Sequence, residues 1–170
     1  MTRLVPTAEM TLGPFFPREF AEKSNDLTVF DGRRALGEAI EVSGRVVELD
    51  ARPLDNVILE IWQADSRGRL DNVYFAGWGR AATDARGNYR FRTIMPGAVP
   101  GRAPHINFLV LYSGLMRQLQ TVMFFDHADD PVLRAVEPSR RKLLVARKID
   151  SSYRFDIRLR GTDETPFFDD

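Results

Sequence analysis

Between Tyr153 and Arg160 apolar and charged residues alternate without a break: Tyr153, Phe155, Ile157 and Leu159 are interleaved with Arg154, Asp156, Arg158 and Arg160. Successive side chains of an extended strand point to opposite faces, so a period of two dictates a strand with one face in a core and one in water. The same pattern joins Tyr89, Phe91 and Thr93 against Arg90 and Arg92, and runs through residues 42–49. Residues 57–62, 106–112 and 119–125 carry fewer polar interruptions and read as strands buried on both faces. Turn formers punctuate these runs at Asp31-Gly32, Arg67-Gly68, Arg86-Gly87-Asn88 and Pro96-Gly97. Short strands, frequent turns and no alternating helices predict an all-β fold, an antiparallel β-sandwich. One short helix is expected, with Asp130 as N-cap, Pro131 at the first helical position and Pro138 ending it. Residues 1–38 are Pro- and Phe-rich without a clear period. They are expected to form an irregular N-terminal arm over the sandwich or over a partner, made adhesive by Phe15, Phe16 and Phe20. Residues 39–170 are expected to be the sandwich, giving a single domain overall.

The 170 residues suffice for one core, hiding roughly 70% of the surface of the unfolded chain. Basic and acidic residues balance at 24 each, so no global field attracts nucleic acid or anionic lipid. No apolar run approaches the ~20 residues of a membrane span, and no basic-then-apolar targeting pattern opens the chain, so a cytoplasmic location is expected. Cysteine is absent, which excludes disulfides, thiolate zinc sites, iron–sulfur clusters and a cysteine nucleophile. Any metal would need oxygen or imidazole ligands, and the only histidines are His105 and His127.

Several motifs are weighed against plainer readings. Gly77-Trp78-Gly79-Arg80-Ala81-Ala82 spells a dinucleotide fingerprint. That motif needs a helix to offer its N-terminus to a pyrophosphate, and the chain instead runs on through Thr83 and Asp84 into a turn, so an inter-strand loop is expected. Arg140, Arg141, Lys142, Arg147 and Lys148 lack the interleaved aromatics of a single-strand binder and read as a solvated face. His127 has no second spaced donor group, and helix capping accounts for the aspartates beside it. In Pro104-His105-Ile106-Asn107 the two polar residues lie two apart and share one strand face. A carboxamide is a poor substitute for imidazole at a transition metal, so His105 reads as a hydrogen-bonded structural histidine. Trp62 reads as a core aromatic.

Taken in order, several segments resemble the intradiol ring-cleavage dioxygenases, and within them the alpha-type chains of the protocatechuate 3,4-dioxygenases. Thr11-Leu12-Gly13-Pro14-Phe15-Phe16 is similar to the family's T-x-G-P-[FY] opening. Residues 59–65, followed by Gly68, are similar to its E-[VIM]-W-Q-A strand, and residues 89–97 to the strand and turn that deliver a second tyrosine. Residues 153–161 and 164–169 are similar to the alpha chain's C-terminal signature. The resemblance implies an oxidoreductase whose non-haem Fe(III) is held by two tyrosines and two histidines of a beta-type partner chain. At the matching positions this sequence carries Leu70, Val99, His105 and Asn107. It therefore implies no metal or other cofactor in this chain, and a degenerate pocket that retains Trp62 and Arg102.

The implied role is an alpha subunit, inactive alone, that completes the substrate pocket of a beta-type partner. Thr11, Gly13 and Pro14 would line the pocket entrance. Where the family has an arginine before the glycine matching Gly114, this chain has Ser113, with Arg117 following on the same loop. The implied substrates are O2 and a dihydroxybenzoate, protocatechuate or a related catechol, opened between its two hydroxylated carbons in aromatic-compound catabolism. A serine hydroxyl does not replace a bidentate guanidinium, so the substituents on the catechol are left open. Two rival readings stand beside this one. The first is a stand-alone dioxygenase using His105 with Tyr74 and an acid; the second is a solitary degenerate sandwich acting as a binding module through its arm.

Overall fold

The structure is a computed structural model in which residues 24–115 and 117–168 are described. Two sheets face each other. In the first, β3 (Ala39–Val47) runs antiparallel to β6 (Asn88–Ile94) on one side. Its other side takes the C-terminal strand, which arrives as two pieces, β10 (Ser152–Arg154) and β11 (Ile157–Arg158), both parallel to β3. Beyond β10 lies the antiparallel β9 (Arg147–Ile149). The second sheet is antiparallel throughout and is formed by β5 (Trp78–Ala82), β4 (Ile58–Trp62), β7 (His105–Leu111) and β8 (Leu119–Phe124), side by side in that order. The expected β-sandwich is found, with the two pieces of the C-terminal strand added to it in parallel. Residues 77–82, expected as a loop, mostly form β5, and no helix follows to bind a pyrophosphate.

The strong alternation at the C-terminus is kept across the break between β10 and β11: Tyr153, Phe155, Ile157 and Leu159 are all buried. The break has a local cause. The Phe155 carbonyl lies so close over Gly44 that a Cβ there would come within 1.8 Å of it. The same carbonyl accepts the hydroxyl of the buried Tyr89. Arg45 N–H then turns from the strand backbone to the carboxylate of Asp156, at 2.9 Å.

Inside, Phe108 of the second sheet sits among Tyr89, Phe91 and Phe155 of the first, with ring centroids 6.0, 6.3 and 5.3 Å away. Phe91 and Phe108 are essentially sealed from solvent, and burying each such ring stabilises the fold by roughly 1.5–3 kcal/mol. β4 and β7, expected to be buried on both faces, are in fact one-sided near Trp62 and Asn107, which are exposed. β8 does become two-sided, because α1 (Pro131–Ala135) and a 3-10 turn at Arg141–Leu144 lie over its outer face. There Val122, Phe124, Leu133 and Leu144 make a second small core. The helix begins as expected: the Asp130 side chain accepts from Val132 N–H at 2.8 Å, and Pro131 occupies the first turn.

Within 24–38, β1 (Val29–Phe30) and β2 (Arg33–Arg34) form a hairpin around Asp31 and Gly32. Their φ values of 48° and 72° are the paired left-handed angles of a two-residue hairpin turn. Leu27 enters the main core. Thr11, Gly13, Pro14 and the three arm phenylalanines lie outside the described residues. Among the described residues no helix is long and apolar enough to cross a membrane.

Gly44→Ala is expected to destabilise the chain by roughly 3 kcal/mol or more through overpacking against fixed backbone. Tyr89→Phe, which removes only the hydroxyl, should cost about 1–2 kcal/mol. Urea unfolding followed by circular dichroism measures both.

Candidate functional site

Immediately after Trp62, β4 gives way to a loop organised by a single buried carboxylate. Asp65 accepts hydrogen bonds from the backbone N–H groups of Arg67 and Arg69, at 2.8 and 2.9 Å. It also takes Arg69 Nε at 3.1 Å and Asn72 Nδ2 at 2.8 Å. Burial would raise its pKa. The bonds from the Arg69 backbone, Asn72, the Arg67 backbone and the Arg69 side chain outweigh that effect and hold it at about 2. The ordering of residues 65–72 thus depends on one ionised group. The loop is seated against the 95–99 segment by backbone contact. Gly97 N–H donates to Asp65 O at 2.8 Å, and Gly68, at φ +76°, lies where a Cβ would be 1.9 Å from Ala98 O. Only glycine permits that approach.

Beside this seam the buried Gln63 ties the two sheets together. Its Nε2 donates to Ile94 O at 2.9 Å and its Oε1 accepts from Thr93 at 2.7 Å. Val99 is placed by a turn through Pro100 and Gly101, closed by Arg102 N–H to Val99 O at 3.0 Å. Trp62 pairs across the sheet with Trp78 on one side and Asn107 on the other. All three side chains therefore stand on the outer face.

These elements enclose a cleft of about 260 Å³, lined by Trp62, Leu70, Val99, His105 and Asn107 over a floor from Gln63, Ala64, Ala76 and Gly97. The four positions singled out from the sequence, 70, 99, 105 and 107, come from three separate segments and meet in this one cleft. Trp62, expected in the core, instead lines the cleft and is 52% exposed. The reason is the strand period, since Leu59 and Ile61 take the inward positions.

Among the described residues His105 keeps one polar contact, Nδ1 to Ala103 O at 2.7 Å. A carbonyl only accepts, so Nδ1 carries the proton and Nε2 the lone pair. Burial lowers the pKa of the ring, with a smaller push from Arg102, against the Ala103 bond and Asp130, and the neutral form is favoured. As a donor set, two aliphatic side chains, one carboxamide and one neutral imidazole do not suit a ferric ion, which is stabilised by anionic oxygen ligands. Among the described residues no three His, Asp or Glu side chains gather as a metal cage.

Other singled-out residues lie elsewhere. Arg102 does not line the cleft; its Nε donates to Asp130 at 2.9 Å. Asp130 is fully buried and also accepts from Ala103 N–H and from the helix cap. Burial opposes its ionisation, but these bonds win and its pKa is lowered. The cap aspartate is therefore also the anchor of the turn before His105, a role that helix capping alone did not suggest. Ser113 and Arg117 are exposed on the β7–β8 connection, beyond the far end of a strand that runs roughly 20 Å from His105 at ~3.3 Å per residue. Tyr74 is exposed under the Arg33 guanidinium, 4.7 Å from its ring centre, and does not line the cleft. Within the basic cluster, Arg141 donates to the Val136 and Arg134 carbonyls, and Arg140 to Glu164 O.

Sequence reasoning missed Gln63 and Asp65. Both sit in the quoted 59–65 segment, but nothing in one sequence separates a buried polar residue from an exposed one.

The ordinary value for an aspartate is 3.8, above the folded value of about 2 for Asp65. Its stabilisation is therefore complete above about pH 4 and is lost as the pH falls through about 2. Asp65→Asn should lower stability at pH 7 by about 1–2 kcal/mol, and the gap to the unaltered chain should narrow toward pH 3. Urea titrations at the two pH values check this.

With the site in view, comparison with known proteins is direct. A family profile described as Dioxygenase matches residues 11–161. The chain is 34% identical to the protocatechuate 3,4-dioxygenase alpha chain of Burkholderia cepacia, over 99% of this chain and 100% of that one. It is 37% identical to the beta chain of the same enzyme in Burkholderia cepacia, over 77% of this chain and 68% of that one. The solved dioxygenase domain of a dioxygenase carbohydrate-binding protein fusion from Streptomyces sp. SirexAA-E aligns with a TM-score of 0.63 at 29% identity, covering 95% of this chain and 100% of that chain. From a family match over most of its length and a relative matched end to end, the chain belongs to the intradiol ring-cleavage dioxygenase family.

Proposed function

We propose that this chain is the alpha-type subunit of a heteromeric protocatechuate 3,4-dioxygenase, binding no iron itself and completing the pocket of a beta-type partner. The observation that carries this reading is the cleft of about 260 Å³, in which positions 70, 99, 105 and 107 meet but only His105 offers a strong donor. The Burkholderia cepacia alpha chain also matches over 99% of this chain, whereas the beta chain of that organism matches over 77% of it. The Fe(III) of the partner would supply activation of the catecholate toward O2. The residues of this chain would shape the approach to it. Gly13 and Pro14 suit a close, stiff backbone wall at the entrance, with Thr11 beside them. Ser113 and Arg117 stand on an exposed connection away from the chain's own cleft, a placement suited to a neighbour's pocket. With serine at 113, Arg117 is the cation on that loop for a substrate carboxylate.

Purified alone, the chain should be colourless, iron-free and inactive on protocatechuate; co-expressed with a beta-type chain, it should co-purify as a coloured, ferric, active complex. Stoichiometric iron in the lone chain sinks this reading, and a chain that never associates with a beta-type partner favours the solitary binding module. Within the complex, Arg117→Ala should raise KM for protocatechuate about tenfold with little change in kcat, as expected for lost ground-state binding, and Ser113→Arg should lower KM. The triple substitution Leu70→Tyr, Val99→Tyr, Asn107→His should give the lone chain tight Fe(III) binding, read by metal analysis and by a visible tyrosinate-to-iron absorption band.

A further inference from the structure

The outer face of the first sheet carries charge in a pattern that the core does not call for. Strand register sets Arg90 of β6, Ser43 of β3, Arg154 of β10 and Arg147 of β9 side by side in one row. The residues flanking them along the strands, Tyr89, Phe91, Val42, Tyr153 and Phe155, are buried, so the row itself points outward. Arg92 lies two residues along β6 and Arg45 two residues along β3, on the same face. That face is open, with the Arg90, Arg92 and Arg154 side chains 63%, 57% and 38% exposed.

The chain as a whole is neutral, yet this face holds more cations than it answers. Asp26 takes Arg92 at 2.9 Å, Asp156 takes Arg154 at 3.1 Å, and Glu41 stands 3.7 Å from Arg90. The Arg45 side chain donates to the neutral Arg86 carbonyl. Arg147 has no ion pair among the described residues. It stands directly opposite Arg154, and like charges so placed on neighbouring strands cost stability. An anion between the two removes that cost. Residues 1–23 do not supply it, since Arg3, Arg18 and Lys23 balance Glu9, Glu19 and Glu22 there. Asp169 and Asp170 follow Phe168, which is bonded to Gln120 on the other sheet, and two residues reach only ~7 Å.

The shape of the face suits an extended chain. Ser43 is short between the long Arg90 and Arg154, which leaves a trough along β3 roughly 9–10 Å wide between the flanking strands. An extended segment presents same-face side chains every ~7 Å, the repeat at which Arg92 follows Arg90. The face also carries Glu41 and Asp156, and the outward positions of β3, β6 and β10 hold no aromatic residue. A uniformly anionic nucleic-acid backbone meets repulsion and no stacking platform there. A protein surface, with its mixed charges, can answer both signs.

We propose that this face docks a different protein through an extended acidic segment laid along β3, its carboxylates paired with Arg90, Arg154 and Arg147. The arginine fork takes a carboxylate through two parallel hydrogen bonds, which fixes register as well as affinity. The cleft opens on the second sheet and this face on the first, so the docking does not rest on the subunit reading.

The test titrates the full chain with a capped decapeptide of alternating Glu and Thr, with its Gln–Thr counterpart, and with a thymidine oligonucleotide of equal charge, following backbone N–H signals by NMR. The Glu–Thr peptide should shift signals of β3, β6 and β10 saturably. Its affinity should fall roughly tenfold between about 50 and 300 mM salt as the Debye length shortens. The Gln–Thr peptide should not saturate, and the oligonucleotide should bind more weakly than the Glu–Thr peptide. Arg90→Glu with Arg147→Glu should abolish the shifts, whereas Arg134→Gln, an exposed cation on α1, should leave them unchanged. Replacing Glu9, Glu19 and Glu22 together by Gln should also leave them unchanged. The proposal is overturned if the Glu–Thr peptide does not saturate, if the Gln–Thr peptide equals it, if the oligonucleotide binds more tightly, if the Arg90 and Arg147 double variant still binds, or if Arg134→Gln weakens binding as much. A rise in affinity on replacing the three glutamates overturns it in favour of residues 1–23 as the occupant, and self-association abolished by Arg147→Glu does so in favour of a second copy. Should the double variant fail to fold, Arg90→Gln and Arg147→Gln made singly decide the matter, each expected to weaken binding roughly threefold. Iron content and association with a beta-type chain are measured separately, so either reading can fail without the other.

Discussion

One aromatic ring sets the geometry of the rest. Phe108 reaches across from β7 into a nest of Tyr89, Phe91 and Phe155 on the facing sheet. Because side chains on a strand alternate, fixing Phe108 inward also fixes Ile106 inward and His105 and Asn107 outward. A slip of one residue would reverse all of them, exposing Phe108 and burying two polar groups, so the core enforces the register on which the cleft depends. The same nest holds the C-terminal strand, since Tyr89 spends its hydroxyl on the Phe155 carbonyl that lies over Gly44.

Around that fixed strand the cleft is assembled by polar groups with few alternatives. Asp65 gathers residues 67–72 by ionised hydrogen bonds, and Gln63 holds the sheet edges together beneath them. Asp130 secures the other side, capping α1 while it binds Arg102 and the Ala103 N–H just ahead of His105. Each of these groups is buried and each is satisfied, and no buried side-chain nitrogen or oxygen among the described residues lacks a partner. Unpaired, any of them would cost far more than a surface contact contributes. The frame of the cleft is thus held by satisfied buried polar groups, while three of the four positions that the sequence resemblance sets against the family's metal ligands carry Leu70, Val99 and Asn107.

The alternation at 153–160, the turns, the helix with its Asp130 cap and the side-by-side placement of His105 and Asn107 were all legible in the chain, because each is dictated by neighbours in sequence. The same holds for the chemistry of positions 70, 99 and 107, since no fold turns leucine or valine into a ligand. The tertiary structure alone decided the rest. Only packing shows that β4 and β7 keep one open face while α1 closes that of β8, and that Trp62 is therefore an exposed wall of the cleft. Only packing brings Leu70 to the same cleft as Val99 and His105, and turns Asp65 and Asp130 into its anchors. The physical reason is that local pattern fixes the direction in which a side chain points, whereas burial and polar pairing are set by whatever part of the chain arrives opposite it.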